Sequence, residues 1–417
     1  MSSGAFATRR ARDRVRRVVS GLMAAFLAAL TTTAPAADVN ISTSTATGVD
    51  LDGQSGSTVE VFTGVSVSNV PAARALSGTT RAWALTNRGT ISATSTHAVF
   101  LSVAGSSVAN FSSTTSTGNT ISLGGGGSVQ NNAGATILTG QSAIVIGGSA
   151  GNVNNAGTIT QAAGGFADTV LLGAGGTVTN SGTITGFSSQ GVVSVGQGTS
   201  RTVVNSGSII NNGTGSFPAG VLLQGGPSTL TNTSSGIIRG TYNGIYSSGA
   251  LTLDNAGLIE STGAGSSMRA IESRGGTLVN SGTIQSAASD GIYVNAAATV
   301  TNRGTITGAV RAINFTAGAV HTLNLDTGSV LNGTVQGGSG VDNLVLLGSG
   351  SESIARFLSF ETLAMQGSSW QLTSAGTFST SAQVQAGTLD VAGTLTSPAI
   401  TVLSGATLTA TGRSSAP

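Results

Sequence analysis

Val178-Thr179-Asn180-Ser181-Gly182-Thr183-Ile184 decides the fold, because the chain keeps repeating it. The phrase recurs as Leu85-Thr-Asn87-Arg-Gly-Thr-Ile91, Val153-Asn-Asn155-Ala-Gly-Thr-Ile159, Val203-Val-Asn205-Ser-Gly-Ser-Ile209, Leu253-Asp-Asn255-Ala-Gly-Leu-Ile259, Leu278-Val-Asn280-Ser-Gly-Thr-Ile284 and Val300-Thr-Asn302-Arg-Gly-Thr-Ile306. Looser copies sit at Asn132 and Asn232, and a degenerate one at Asn110. Nine steps lead from Asn87 to Asn302, with a period of about 24 residues, the signature of a stacked repeat. In each phrase an aliphatic residue precedes the Asn by two positions and an Ile usually follows it by four. Those positions share one face of an extended chain. The Asn-x-Gly between them reads as a bend, since Asn tolerates left-handed backbone angles and Gly adopts them without steric cost.

A second phrase follows about a dozen residues later: Ala143-Ile-Val-Ile146, Thr169-Val-Leu-Leu172, Gly220-Val-Leu-Leu223, Gly244-Ile-Tyr246, Ala270-Ile271, Gly291-Ile-Tyr-Val294 and Ala312-Ile313. Each period therefore offers about three short strands, and none holds the 10 to 12 residues of amphipathic helix that a βαβ unit needs. One period cannot bury its own inner face; stacking the periods buries it and completes the backbone hydrogen bonds. The expected fold is all-β, a right-handed parallel β-helix of coils about 24 residues long, the hand being taken from strand chirality. Equivalent Asn side chains are expected to form an amide ladder along one corner. An all-β sandwich is the competing architecture, but its strands would not carry the same turn residues at one phase.

The composition agrees with a thin, repeated core. Charged residues make up 8 % and aromatics 4 % of 417 residues, Gly numbers 63 and Cys is absent. Mean hydropathy is +0.26, too high for a disordered chain. The missing Cys excludes disulfides and thiolate chemistry. All 17 basic residues are Arg, and six of them, Arg9, Arg10, Arg12, Arg14, Arg16 and Arg17, crowd the first turns of the sequence. The remainder has fewer Arg than acids, so no nucleic-acid partner is expected.

Residues 1–36 read as a signal peptide: the Arg-rich start, the apolar run from Val18 to Leu30, and Ala34-Pro35-Ala36 as small residues at a cleavage position. Thr8-Arg9-Arg10 hints at a twin-arginine signal. Residues 37–84, rich in Thr, Ser and Val, read as N-terminal irregular coils or a cap. Residues 85–322 are the repetitive β-helix, and 323–417 a C-terminal block with a short tail.

That block carries a family resemblance. Asp342-Asn-Leu-Val-Leu-Leu-Gly348, Phe360-Glu-Thr-Leu363, Trp370-Gln-Leu372, Gly387-Thr-Leu-Asp-Val391, Gly393-Thr-Leu395, Val402 and Gly405-Ala-Thr-Leu408 resemble the end of a passenger domain of the pertactin-like autotransporters of Gram-negative bacteria, the type V secretion family. The Asn-Ser-Gly-Thr-Ile repeats are common in such passengers too. The resemblance implies export through the periplasm to the outer-membrane surface or the extracellular space, with an outer-membrane β-barrel translocator as partner and the terminal block templating folding. The sequence as given holds no such barrel, which needs many alternating segments of about 10 residues.

Catalytic signals are sparse. His97 and His321 lie far apart in sequence and neither has a Ser and Asp partner at a suggestive phase. Gly147-Gly-Ser149-Ala-Gly151 fits the esterase pattern but not its strand-to-helix setting. Gly337-Gly338-Ser-Gly340-Val-Asp342 is a single copy of a calcium nonapeptide that normally comes in series. Asp168, Asp254, Asp290, Glu260, Arg239, Arg269 and Arg274 read as scattered, solvated charges. The expectation is therefore no catalytic, cofactor-binding or metal residue, no cofactor and no enzyme: an adhesin-like or structural surface protein whose host or cell-surface target the sequence does not name. A carbohydrate-active β-helix enzyme, marked by a groove with two close carboxylates, and a truncated, non-functional fragment are the alternatives.

Overall fold

Coil by coil, the repeat becomes a stack of parallel strands. The computed structural model describes residues 37–69, 74–198, 200–411 and, as backbone only, 413–415; the expected leader lies outside them. The unit from residue 39 onward is an all-β parallel solenoid of about 16 turns with about 23 residues per turn. Among the described residues its one helix is a single 3-10 turn, Ile354–Arg356. Among the described residues no helix is long and apolar enough to cross a membrane.

A representative coil holds three strands, Gly176–Asn180, Thr183–Gly186 and Gly191–Val195. Their inward residues, Val178, Ile184, Val193 and Val195, are fully buried. The next coil repeats them in register: Val178 lies beside Val203, Ile184 beside Ile209, Val193 beside Val221. The first face runs through 17 strands, from Val39–Ile41 to Ile400–Val402. The second and third faces belong to a 24-stranded sheet, joined where the 11-residue strand Thr305–Phe315 serves both with a bulge between Thr307 and Ile313. The register puts like beside like, so every coil offers its neighbours the same apolar surface, as solenoid stability requires. Residues 37–84 lack the phrase yet stack in the same register, with Val59 between Val39 and Leu85.

The expected amide ladder is present. Nδ2 of each Asn donates to Oδ1 of the Asn one coil on, from Asn87 through Asn110, Asn131, Asn155, Asn180, Asn205, Asn232, Asn255 and Asn280 to Asn302, at 2.7 to 2.9 Å. The amide N–H groups also reach backbone carbonyls, as from Asn180 to Gly182 at 3.2 Å and Ser208 at 3.1 Å. A buried amide is tolerated only when so satisfied. The ladder stops where the aligned residue becomes Leu325, and Nδ2 of Asn302 turns to the Ser329 hydroxyl at 2.7 Å.

Two details depart from the sequence reading. The ladder uses Asn131, not Asn132, because the turn there is longer: Gly134, not the second residue after the Asn, makes the bend, at φ +79°. The shorter Asn-x-Gly turns are not left-handed; no ladder Asn and none of Gly157, Gly182, Gly207 or Gly282 has positive φ. Glycine is required for room. A Cβ on Gly182 would stand 2.0 Å from the Gly157 carbonyl oxygen, and one on Gly207 2.0 Å from that of Gly182.

Beyond residue 323 the coils shorten. Asp342 stacks on Glu361 and Gln371 on Asp390, each 19 residues on, against 25 between Asn155 and Asn180. Two new sheets replace the second and third faces here, one including Ser369–Thr373 and Thr388–Val391, the other Ala375–Thr377 and Thr394–Thr396. Larger side chains fill this end: Trp370, Phe360 and Phe378 are buried, and the Trp370 indole donates to the Leu347 carbonyl at 2.8 Å over Gly350, where a Cβ would meet the ring at 2.6 Å.

Candidate functional site

Outward positions on the third face also stack. In register run Val145, Leu171, Ser194, Leu222, Tyr246, Glu272, Tyr293 and Asn314. On the outside of the first face Thr177, Thr202, Thr229, Thr252, Thr277, Thr299 and Thr322 form one unbroken rank. The chain has three Tyr in all, and two of them, Tyr246 and Tyr293, lie in this one column, with Tyr242 in the turn just before Tyr246.

Loop length shapes a recess around them. The connections from second to third face are residues 212–218, then 241–242, then 262–270 on successive coils. A short turn between two long loops leaves a floor between two walls. Phe217 stands on one wall, 61 % exposed, with its ring edge-on to Tyr242 at 5.1 Å. Arg269 stands on the other, its guanidinium 3.8 Å over the Tyr293 ring and Nη1 donating to Glu272 Oε2 at 2.7 Å. The Arg269 backbone N–H donates to Asn243 Oδ1 at 3.4 Å. The recess has about 370 Å³ and is lined by Phe217, Leu222, Tyr242, Tyr246, Arg269 and Glu272, with Gln190, Gln224, Asn243 and Ser267 adding neutral polar groups.

Three of the charges read from the sequence as scattered and solvated, Arg239, Glu260 and Asp290, are paired across coils. Arg239 Nε bonds Glu260, which also accepts from Gln285 at 2.8 Å, and Glu260 is buried. Arg311 lies 3.4 Å from Asp290, a buried carboxylate that accepts from Asn314 at 2.7 Å. Such partners stand one short coil, 21 residues, apart, off the mean period, and this hides the pairing in the linear sequence.

His321 likewise has the acidic partner its sequence did not suggest. Its Nδ1 lies 2.7 Å from Asp342 Oδ1 and its Nε2 3.1 Å from the Ala296 carbonyl, with Phe315 stacked on the ring at 4.6 Å. Both nitrogens are occupied and the ring is buried, so no nitrogen is left to take a proton from a substrate. The same bond places Asp342, the acid of the calcium-like phrase, inside the stack. Gly147–Gly151 forms a turn between Ile144–Ile146 and the next coil, and the Ser149 hydroxyl donates to the Gly125 carbonyl at 2.9 Å.

Groups with displaced titration are dispersed. Burial holds Asp168 and Glu352 above the usual carboxylate range, against hydrogen bonds from Gly191 and Ser353 that pull the other way. Burial, then the Arg74 charge, lowers His97. Asp52, held by hydroxyl and backbone donors of Thr79 and Thr80, is lowered to about 2. Within the recess lining Glu272 is the sole carboxylate, and it is tied to Arg269. What this arrangement can do is hold a ligand between aromatic faces and neutral polar groups. No family model matches the chain, nor does any curated protein or solved structure.

Proposed function

We propose that this β-solenoid is an exported, adhesin-like protein of a Gram-negative cell surface or its surroundings, and that it grips its target in the third-face recess. The observation behind the reading is the gathering of Phe217, Tyr242, Tyr246 and Tyr293 on one face of the solenoid, around a recess edged by neutral polar groups. One exposed ring, Phe217, beside three half-buried Tyr is the kind of aromatic cluster found at binding surfaces. The signal-like residues 1–36, the absence of Cys and the autotransporter-like terminal block support the exported setting, with an outer-membrane β-barrel as the partner that carries the chain across.

Binding without turnover is the preferred reading. Glycoside hydrolysis uses a pair of carboxylates about 5 to 10 Å apart, and the recess lining offers Glu272 alone, already paired with Arg269. The test has two parts. The full chain, expressed with its leader in a Gram-negative host, is expected outside the cytoplasm with a new N-terminus at Ala37. Beads coated with residues 37–417 are expected to adhere to target cells or matrix, less so with Phe217→Ala. Retention of the uncleaved chain in the cytoplasm, or equal adherence by the variant, would sink the proposal.

A further inference from the structure

We infer that the recess takes a neutral, extended oligosaccharide of roughly three sugar units, lying along the solenoid axis; the inference rests on the recess being the contact surface. Its lining comes from four successive coils, through Gln190, then Phe217 and Leu222, then Tyr242 and Tyr246, then Arg269 and Glu272. At the inter-strand spacing this spans about 14 Å, a long, narrow footprint suited to a linear polymer.

Three features select the ligand class. The apolar C–H face of a pyranose packs on an aromatic ring, whose face is electron-rich, and Tyr246 and the Phe217–Tyr242 pair supply such rings. Sugar hydroxyls both donate and accept, and Asn243, Gln190, Gln224 and Ser267 do the same without charge. The only charges in the lining, Arg269 and Glu272, are joined at 2.7 Å, so the recess has no net charge to attract a phosphate, a uronate or a basic peptide. Tyr293 and Glu272 together pin Arg269, so its remaining donors are held in place before a ligand arrives.

An extended peptide fits less well. Peptides usually dock on sheets by adding a strand to a free edge. Here Ala219–Leu223, Asn243–Ser247 and Ile271–Ser273 are each paired on both sides, leaving no backbone edge to extend.

The experiment is calorimetric titration of residues 37–417 with cellohexaose, xylohexaose, mannohexaose and chitohexaose, and with hexagalacturonate as the anionic counterpart. Saturable binding of at least one neutral hexamer is expected, with hexagalacturonate weaker by about tenfold or more, equivalent to about 1.4 kcal/mol. Tyr246→Ala should weaken that binding by about tenfold and Tyr246→Phe should restore it, since the ring face and not the hydroxyl makes the contact. Phe217→Ala, at an exposed rim position, gives a second variant if Tyr246→Ala does not fold. Equal binding by wild type and both alanine variants would overturn the inference, as would tighter binding of hexagalacturonate. Failure of every neutral hexamer while beads still adhere in a Phe217-dependent way would overturn the ligand class and leave the adhesin reading standing. Failure of both assays would remove both.

Discussion

Asn205 shows how much rests on a single amide. It accepts from Asn180 at 2.8 Å and donates to Asn232 at 2.9 Å, to Gly207 at 3.0 Å and to Ile237 at 3.1 Å. Asn205→Ala strands buried donors and acceptors on both neighbouring coils, and should cost about 2 to 4 kcal/mol, read from the shift in urea midpoint. Asn205→Asp is expected to cost more at neutral pH, because a carboxylate would face three acceptor oxygens where an NH2 now donates. Burial raises the folded-state pKa of such an acid, so its penalty is absent below the unfolded value of about 3.9 and grows as the pH rises toward the folded one. The aspartate variant should therefore regain stability on acidification; a flat difference from pH 4 to pH 7 would refute the ladder's energetic role. The ladder was legible because each rung repeats a residue at a nearly fixed phase. The slip between Asn131 and Asn132 was not, since two adjacent Asn differ only in which one the longer turn leaves on the inner face.

Strands and turns obey different rules, and the sequence reveals them unequally. Strand positions could be read from alternation alone, and Val178 and Ile184 stand inside as expected. The glycine in each short Asn-x-Gly turn was legible as a requirement, though its cause is the carbonyl of the coil beside it and not its own backbone angle. Gly182→Ala should therefore cost more than Gly134→Ala, which meets open space and bears only the strain of a positive φ, about 1 to 2 kcal/mol. Thermal melts of the two variants decide the point, and equal losses would contradict it. The recess was illegible for a related reason. Its residues come from strands and from loops of unequal length on successive coils, so no spacing ties Phe217 to Tyr246 or Arg269 to Tyr293. The paired charges, Arg239 with Glu260 and Arg311 with Asp290, escaped notice in the same way.

From residue 39 onward the solenoid has about 16 turns, on the order of 75 Å along its axis. Stability in such a stack is approximately a sum of coil and interface contributions. Removing residues 156–180, one full period between two ladder rungs, should leave a folded rod shortened by about 5 Å, with Asn155 bonded directly to Asn205. Small-angle scattering and circular dichroism would show it; loss of β signal would mean that the coils are not interchangeable. The coils after residue 323 are shorter and packed with aromatic rings, and so are poor substitutes for those before them. This interchangeability reaches back to the gene. An in-frame change of one whole repeat adds or removes a coil between neighbours whose register positions match. Gain or loss of whole coils sets how far the recess stands from the solenoid's end, so reach can change while the recess itself stays untouched.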